Sequence, residues 1–339
     1  MKKVLFLFSI VALFLITACS SRVSKKQLFG NALGTTYTIQ YFSDVHEITI
    51  QKGLDSIFEA VNSSMSTYRS DSDISKINRG DSTIRVDEMF REVFEISKRV
   101  HRISEGSFDP TIGTLVNAWG FGAGKPLDQV DSTTIDSIKQ YIGFDKVHLN
   151  PNYTIDKESP DIYLEFNAVA KGYCIDRIGT YLNKKNIDNY LVELGGELLA
   201  KGMHLEKKDS WTVGIDDPQQ GEQRELSGIV QLKDQGMATS GNYRKFRVDT
   251  VTGKKYVHIV DPKSGYTRES RILSASVLAP TCAMADAYAT TFMVLPLEKA
   301  KSIVQKDRDL EVYLIYLDDN DTTRTYASEN FKVQPAYTN

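Results

Sequence analysis

The chain is poor in the residues that build metal clusters and disulfide frameworks: its 339 residues include three cysteines and five histidines. The cysteines stand at 19, 174 and 282 with no CxxC pair, and the histidines at 46, 101, 148, 204 and 258 are scattered, which argues against zinc and iron–sulfur chemistry. No charge of one sign dominates either. With 41 basic and 44 acidic residues there is no general field for nucleic acid, so any polyanion must be bound locally. A P-loop is missing, as is a GxGxxG motif after a strand, and with them the standard nucleotide folds. There is no internal repeat, and no low-complexity tract beyond a short polar stretch near the start. At this length, a hydrophobic content of 41% supports a sizeable core in one compact unit.

The one long apolar run lies at the start. "MKKVLFLFSIVALFLITACSS" has two lysines, an apolar stretch from Val4 to Ile16 and small residues ending at Cys19. It is shorter than the roughly 18–20 apolar residues that span a bilayer, and reads as a signal peptide over 1–18. The "ITAC" stretch resembles a bacterial lipobox, so Cys19 is the expected lipidated N-terminus and 19–29 a polar tether. The folded domain then covers 30–339, held by acyl chains on the extracytoplasmic, periplasmic side of a bacterial membrane. That leaves Cys174 and Cys282, which could pair in an oxidising compartment but are better read as buried free thiols.

Along the mature chain, "LFGNALGTTYTIQYF" from Leu28 to Phe42 reads as a strand bent near Gly34. Leu54, Ile57, Phe58, Val61 and Met65 fall on a helical repeat. Phe90, Val93, Phe94 and Val100 repeat the pattern near 87–103. Between these helices, and again at "EGSFDPTIGTLVNAWGFG", lie aromatic-bearing segments without periodicity, the kind of long loop that is usually functional. A further helix is expected over about 168–184. The second half alternates short strands ("NYLVEL", "ELLAKG", "WTVGI", "LSGIVQL", "KYVHIVD", "ILSASVLA") with turns, then two helices and a last strand pair. This predicts an α+β fold with mostly antiparallel sheet and packed helices.

Four stretches offer chemistry. "MADAYATTFMVL" places Asp286 and Thr290 four apart on one face of an otherwise apolar helix. Carboxylate and hydroxyl are hard oxygen donors suited to Mg²⁺ or Ca²⁺. Equally, Asp286 could stabilise the start of its own helix while Thr290 bonds back to a carbonyl. The Gly195–Gly196 pair fits a hairpin turn, or a place where backbone approaches a ligand. His258, in an apolar strand before an Asp-Pro turn, is either a packed residue or a general base. Lys171, in the first turns of a helix, is a solvated lysine or a phosphate contact.

Eight segments in order, "GTTYTIQY", "STYRSDSDISKIN", "GSFDPTIGTLVNAWGFG", "FNAVAKGYCIDRI", "LVELGGELLAKG", "ATSGNYRKF", "HIVDPKSGY" and "MADAYATTFMVL", resemble those of the ApbE-type FAD:protein FMN transferases, from about Gly30 to the last strands. The resemblance implies a single two-lobed domain with FAD bound between the lobes. It implies Mg²⁺ as cofactor and transfer of FMN from FAD to a threonine hydroxyl of a partner protein, with release of AMP. It makes Asp286, Thr290 and the carbonyl of Ala168 metal ligands and His258 the base. Leu33, Tyr68, Ser107, Phe108, Asp109, Glu165, Lys171, Gly195 and Gly196 become FAD contacts. The implied partners are subunits of membrane electron-transfer complexes bearing a Ser/Thr-Gly-Ala-Thr type motif. Mg²⁺-dependent hydrolysis of FAD to FMN and AMP, or non-catalytic flavin binding by a lipoprotein, are the alternatives. The chain departs from the family's common residues at Leu33 (often Met), Thr114 (Pro), Glu165 (Asp), Glu193 (Asn) and Glu197 (Asp). Glu193 and Glu197 put charge near a polyanionic ligand.

Overall fold

The structure, a computed structural model, describes residues 23–127, 130–219, 225–242, 246–248, 255–267 and 270–336. Its centre is an eight-stranded sheet: β1 (Ser24–Ala32), β2 (Thr35–Ser43), β3 (Tyr190–Leu194), β4 (Glu197–Lys201), β5 (Gln235–Gly241), β6 (Ile272–Ala279), β7 (Glu311–Leu317) and β8 (Thr323–Ala327). These lie side by side in chain order, and each neighbouring pair is antiparallel.

Side chains alternate between two faces. Tyr190, Val192, Val312 and Leu314 enter the main core, whereas Leu191, Tyr313 and Ile315 enter a second one. The main core is covered by five long helices, α1 (Glu47–Met65), α2 (Glu88–Ile103), α3 (Ala170–Lys184), α4 (Cys282–Val294) and α5 (Leu297–Lys306), and by the short helix Asp73–Asn78. The second core is closed by a three-stranded sheet of Trp211–Asp216, Leu226–Leu232 and Val333–Gln334. A satellite cluster of Ile112, Leu115, Trp119, Ile135 and Val260 stands apart from both.

The helices begin where side chains can occupy their free amides. Asp87 caps α2 by accepting from Phe90 N at 2.7 Å, and Thr281 caps α4 through Met284 N. α4 is buried nearly all round, packed on β5, β6 and α3. Apart from the face bearing Asp286 and Thr290, such a helix is apolar all round.

Three expectations are corrected. The bent strand over Leu28–Phe42 is a hairpin, because Leu33 (φ +49°) and Gly34 (φ +75°) form a two-residue turn joining Ala32 to Thr35. β1 starts at Ser24, so most of the stretch read as tether is sheet. His258 is not in a strand but just beyond the Lys255–Val257 strand. Cys174 and Cys282 are both free and buried, as read from the sequence. Cys19 lies outside the described residues.

Candidate functional site

The start of α4 is gripped from two sides. Asp176 on α3 accepts from Cys282 N and Ala283 N, both at 2.8 Å, filling two of the four amides that a helix start leaves open. Burial holds its carboxyl up at about 7 against those two hydrogen bonds. Gly172 of α3 and Gly236 of β5 allow the contact. A Cβ on Gly172 would lie 2.4 Å from Cys282 O, and one on Gly236 2.4 Å from Cys282 N.

One turn along, Asp286 is buried and accepts from Gly172 N at 3.0 Å. That amide lies in the first turn of α3, before the backbone ladder opens with Tyr173 N donating to Val169 O, so Asp286 supplies the acceptor it lacks and the Ala168 carbonyl stands ahead of the ladder. Asp286 therefore does not cap its own helix. The back-bonding hydroxyl is that of Thr291, which donates to Ala287 O at 2.7 Å. Thr290 is partly exposed, with Oγ1 3.4 Å from Ser240 Oγ. Asp286 and Thr290 on α4 and Ala168 just ahead of α3 thus offer oxygen alone.

Lys171 supplies the balancing charge. Its Nζ lies 3.2 Å from Glu197 Oε1 and 3.8 Å from Asp286 Oδ2. Burial alone would lower the ammonium's pKa, but the two carboxylates outweigh it and hold the pKa above the usual lysine value. Burial raises the pKa of Asp286; Lys171 opposes this, and Glu197 adds to it.

Two glycine-bearing turns meet beside this group. Gly195 (φ +64°) and Gly196 (φ +98°) join β3 to β4, and Gly195 N donates to Thr36 O at 3.0 Å, next to the Leu33–Gly34 turn. Both turns have two positive φ values, the hairpin form that favours glycine. Leu33 adopts it at a cost of about 1–2 kcal/mol and projects into the cavity. Glu193 does not face a ligand as a free charge, since its Oε1 accepts from Gly196 N at 2.8 Å.

A cavity of about 830 Å³ gathers these residues. Its walls include Leu33, Tyr68, Ser107, Phe108, Asp109, Glu165, Ala168, Lys171, Gly195, His258, Asp286 and Thr290; of the residues singled out in the sequence for the site, Gly196 alone is not on the wall. One side is formed by the helical layer and the two turns, the other by Ile112, Val116, Phe121, Val260 and Pro262 around the satellite cluster. Tyr68 is 65% exposed at the rim, placed to stack on a flat ring. The His258 ring stands edge-on to Phe121 at 6.4 Å.

Asp109 is a brace. Thr111 N and Oγ1 donate to its Oδ1 at 2.8 and 2.5 Å, and Phe144 N donates to Oδ2 at 3.1 Å. Its carboxylate fixes the Ser107–Phe108 loop from behind. Glu165 is different: partly open on the wall and bonded by Asn167 Nδ2, it is pushed up by burial to about 7. Sequence reasoning missed Asp176, which carries no local signal, and Ser240, visible only inside "ATSGNYRKF". It also read Glu197 as surplus charge rather than as the seat of Lys171.

A large cavity with oxygen donors and the Lys171 ammonium on its floor defines a protein that handles a bulky phosphorylated ligand. The sequence model of the ApbE family matches residues 33–314, and the chain belongs to that family. It is 34% identical to the FAD:protein FMN transferase of Haemophilus influenzae, the alignment covering 98% of each chain. It is 31% identical to that of Escherichia coli K12, over 90% of this chain and 88% of the relative. Among solved structures, the flavin transferase ApbE from Vibrio cholerae superposes with a TM-score of 0.81 at 32% identity, covering 91% of this chain and 98% of that one. The apbe protein of Thermotoga maritima gives 0.78 at 25% identity, covering 90% and 97%.

Proposed function

We infer that this chain moves FMN from FAD onto a partner protein, the acceptor being a threonine hydroxyl and the leaving group AMP. The observation that carries the reading is the Lys171–Asp286 pair on the floor of a cavity large enough for a dinucleotide and rimmed by an exposed tyrosine. Attack on the FMN-side phosphorus needs positioning and charge neutralisation above all. Lys171 supplies positive charge at the phosphates. Tyr68 and Leu33 hold the flavin nucleotide, and the Ser107–Asp109 loop braces that wall. His258 takes the proton of the attacking hydroxyl, which then closes the P–O bond as AMP departs.

The oxygen-only donor set of Asp286, Thr290 and the Ala168 carbonyl fits Mg²⁺, which takes one or two carboxylates with phosphates and water. Among the described residues no group of three or more His, Cys, Asp or Glu competes for a softer metal. Bound there, Mg²⁺ would neutralise charge on the phosphates. At the membrane, Cys19 is the proposed lipid anchor. No helix among the described residues is long and apolar enough to cross a bilayer. Only residues 20–23 separate Cys19 from β1, whose nine residues run about 30 Å to the Leu33 turn at about 3.3 Å each. The proposed acceptors are extracytoplasmic subunits of electron-transfer complexes.

The test mixes a soluble form starting at Ser20 with FAD, Mg²⁺ and an acceptor domain bearing a Ser/Thr-Gly-Ala-Thr type motif. AMP release together with flavin fluorescence that survives denaturing electrophoresis is expected, and is lost with a threonine-to-valine acceptor. AMP without labelled acceptor would instead indicate hydrolysis, and intact FAD mere binding. His258→Ala should slow labelling by about 10²–10⁴ while FAD affinity changes little; an unchanged rate would remove His258 from the role of base.

Glu165 gives a pH dependence. Its proton is held to about pH 7, so this position on the cavity wall is neutral below that value and anionic above it. A polyanion binds the protonated form better. Without divalent cation, FAD affinity should fall as pH rises through about 7, by at most tenfold per unit, and Glu165→Gln should flatten the slope. A slope unchanged in the variant would assign it elsewhere.

A further inference from the structure

Glu197 is the buried charged residue of the site to which the proposed reaction gives no task. It is 5% exposed, at the first position of β4 directly after the diglycine turn. Its Oε1 holds the Lys171 ammonium at 3.2 Å, while its Oε2 is buried with no hydrogen-bond partner. A buried carboxylate oxygen left unmade is costly, on the order of 1–3 kcal/mol or more, and such an orphan calls for a reason.

The geometry around Lys171 supplies one. The ammonium has three donors and sits nearer Glu197 than Asp286. In this arrangement it is the counter-charge of Asp286, which is the carboxylate a divalent cation would need. A cation at Asp286 and an ammonium 3.8 Å from the same oxygen repel each other, so one of them must yield. Oε2 of Glu197 is a vacant acceptor on the ammonium's other partner.

We propose that Glu197 is a positioning residue that receives the Lys171 ammonium when a divalent cation claims Asp286, so that cation and lysine act on the phosphates together instead of competing for one carboxylate. This rests on the Mg²⁺ reading of Asp286 given above. It also accounts for an acid at this place beside a polyanion, since the charge of Glu197 is spent on Lys171. The diglycine turn fixes the seat: a Cβ on Gly195 would lie 2.8 Å from Thr35 Cγ2 and 3.4 Å from Glu197 Oε2, so bulk there would press on the acid.

The experiment measures Mn²⁺ binding to FAD-saturated protein at low temperature without acceptor, reading free Mn²⁺ by its spin-resonance signal. Four proteins form a cycle: the parent chain, Glu197→Gln, Lys171→Met and the double variant. With Glu197 neutral, the ammonium is left to Asp286 alone, and the Mn²⁺ dissociation constant should rise about tenfold, a coupling typical of linked sites. With Lys171 already removed, the same Glu197→Gln change should matter less than about twofold, because nothing remains to be moved. Glu197→Asp, which keeps the charge, should stay within about threefold of the parent, and its melting temperature reports whether the turn has folded. An equal loss in both backgrounds would make Glu197 a mere source of charge or a direct ligand, and no loss in either would make it structural; each overturns the proposal. Failure of the parent chain to bind Mn²⁺ would overturn the metal reading and the exchange with it, a result distinct from those two.

Discussion

Asp286→Ala should lower FMN transfer by at least about a thousandfold, the scale at which removing one charge-stabilising group from a reaction centre is felt. Three roles end together. The cation loses its one carboxylate among the proposed ligands, Lys171 loses its pairing with Asp286 and turns wholly to Glu197, and Gly172 N loses its acceptor. Stability should respond far less than activity. An unsatisfied buried amide costs about 1–3 kcal/mol, but the variant also no longer buries a carboxylate whose charged form burial disfavours. The two effects oppose each other, so the melting temperature should move by only a few degrees while labelling of the acceptor disappears. Asp286→Asn separates the charge from the shape: it can still accept from Gly172 N, and so should melt like the parent while remaining inactive. Transfer that tolerated either substitution would sink the metal assignment and leave Asp286 as a tie between two helices.

How much of this was legible in the sequence depends on how local the cause is. The apolar repeats through Leu54, Phe58 and Val61 and through Phe90, Val93 and Phe94 show directly as α1 and α2, because one buried face fixes one period. The central strand β5 escapes that logic. Its sequence "QGMATSG" has few bulky or β-branched residues because α4 crosses it closely, Gly236 lying under the Cys282 amide. The Leu33–Gly34 hairpin was hidden for a related reason. Its turn demands two positive φ values, and leucine at the first position gives no sign of it. The site's membership, by contrast, followed from the ordered resemblance, and the structure gathers all but Gly196 around one cavity. Roles were harder. Asp286 finds its amide 114 residues away in sequence, and Asp109 looks like a cavity acid until Thr111 and Phe144 are seen to occupy its oxygens. Long-range pairings of this kind leave no periodic trace.

The second large effect should come from a methyl group. Gly172→Ala places a Cβ 2.4 Å from Cys282 O, 2.7 Å from Cys282 C and 2.9 Å from Ala283 Cα, all in the backbone of α4, which no rotamer change can relieve. Overpacking of this kind costs about 1–3 kcal/mol, occasionally more. For a domain of this size, that lowers the melting temperature by roughly 2–4 °C for each kcal/mol. Activity should fall further than stability, because relief requires α3 and α4 to separate. Separation stretches the bond from Gly172 N to Asp286 and loosens the grip of Asp176 on the first amides of α4. Lys171, the neighbour of Gly172 on α3, shifts with it. A displacement of about 1 Å in such a site is worth around a hundredfold in rate. Gly236→Ala makes the informative comparison, since its Cβ meets the same turn of α4 from the sheet side, 2.4 Å from Cys282 N, without touching the bond to Asp286. If both variants melt early but Gly172→Ala alone loses transfer out of proportion, the contact between the two helix starts is what aligns the oxygen donors with the lysine. Equal losses per degree of destabilisation would reduce Gly172 to a packing residue.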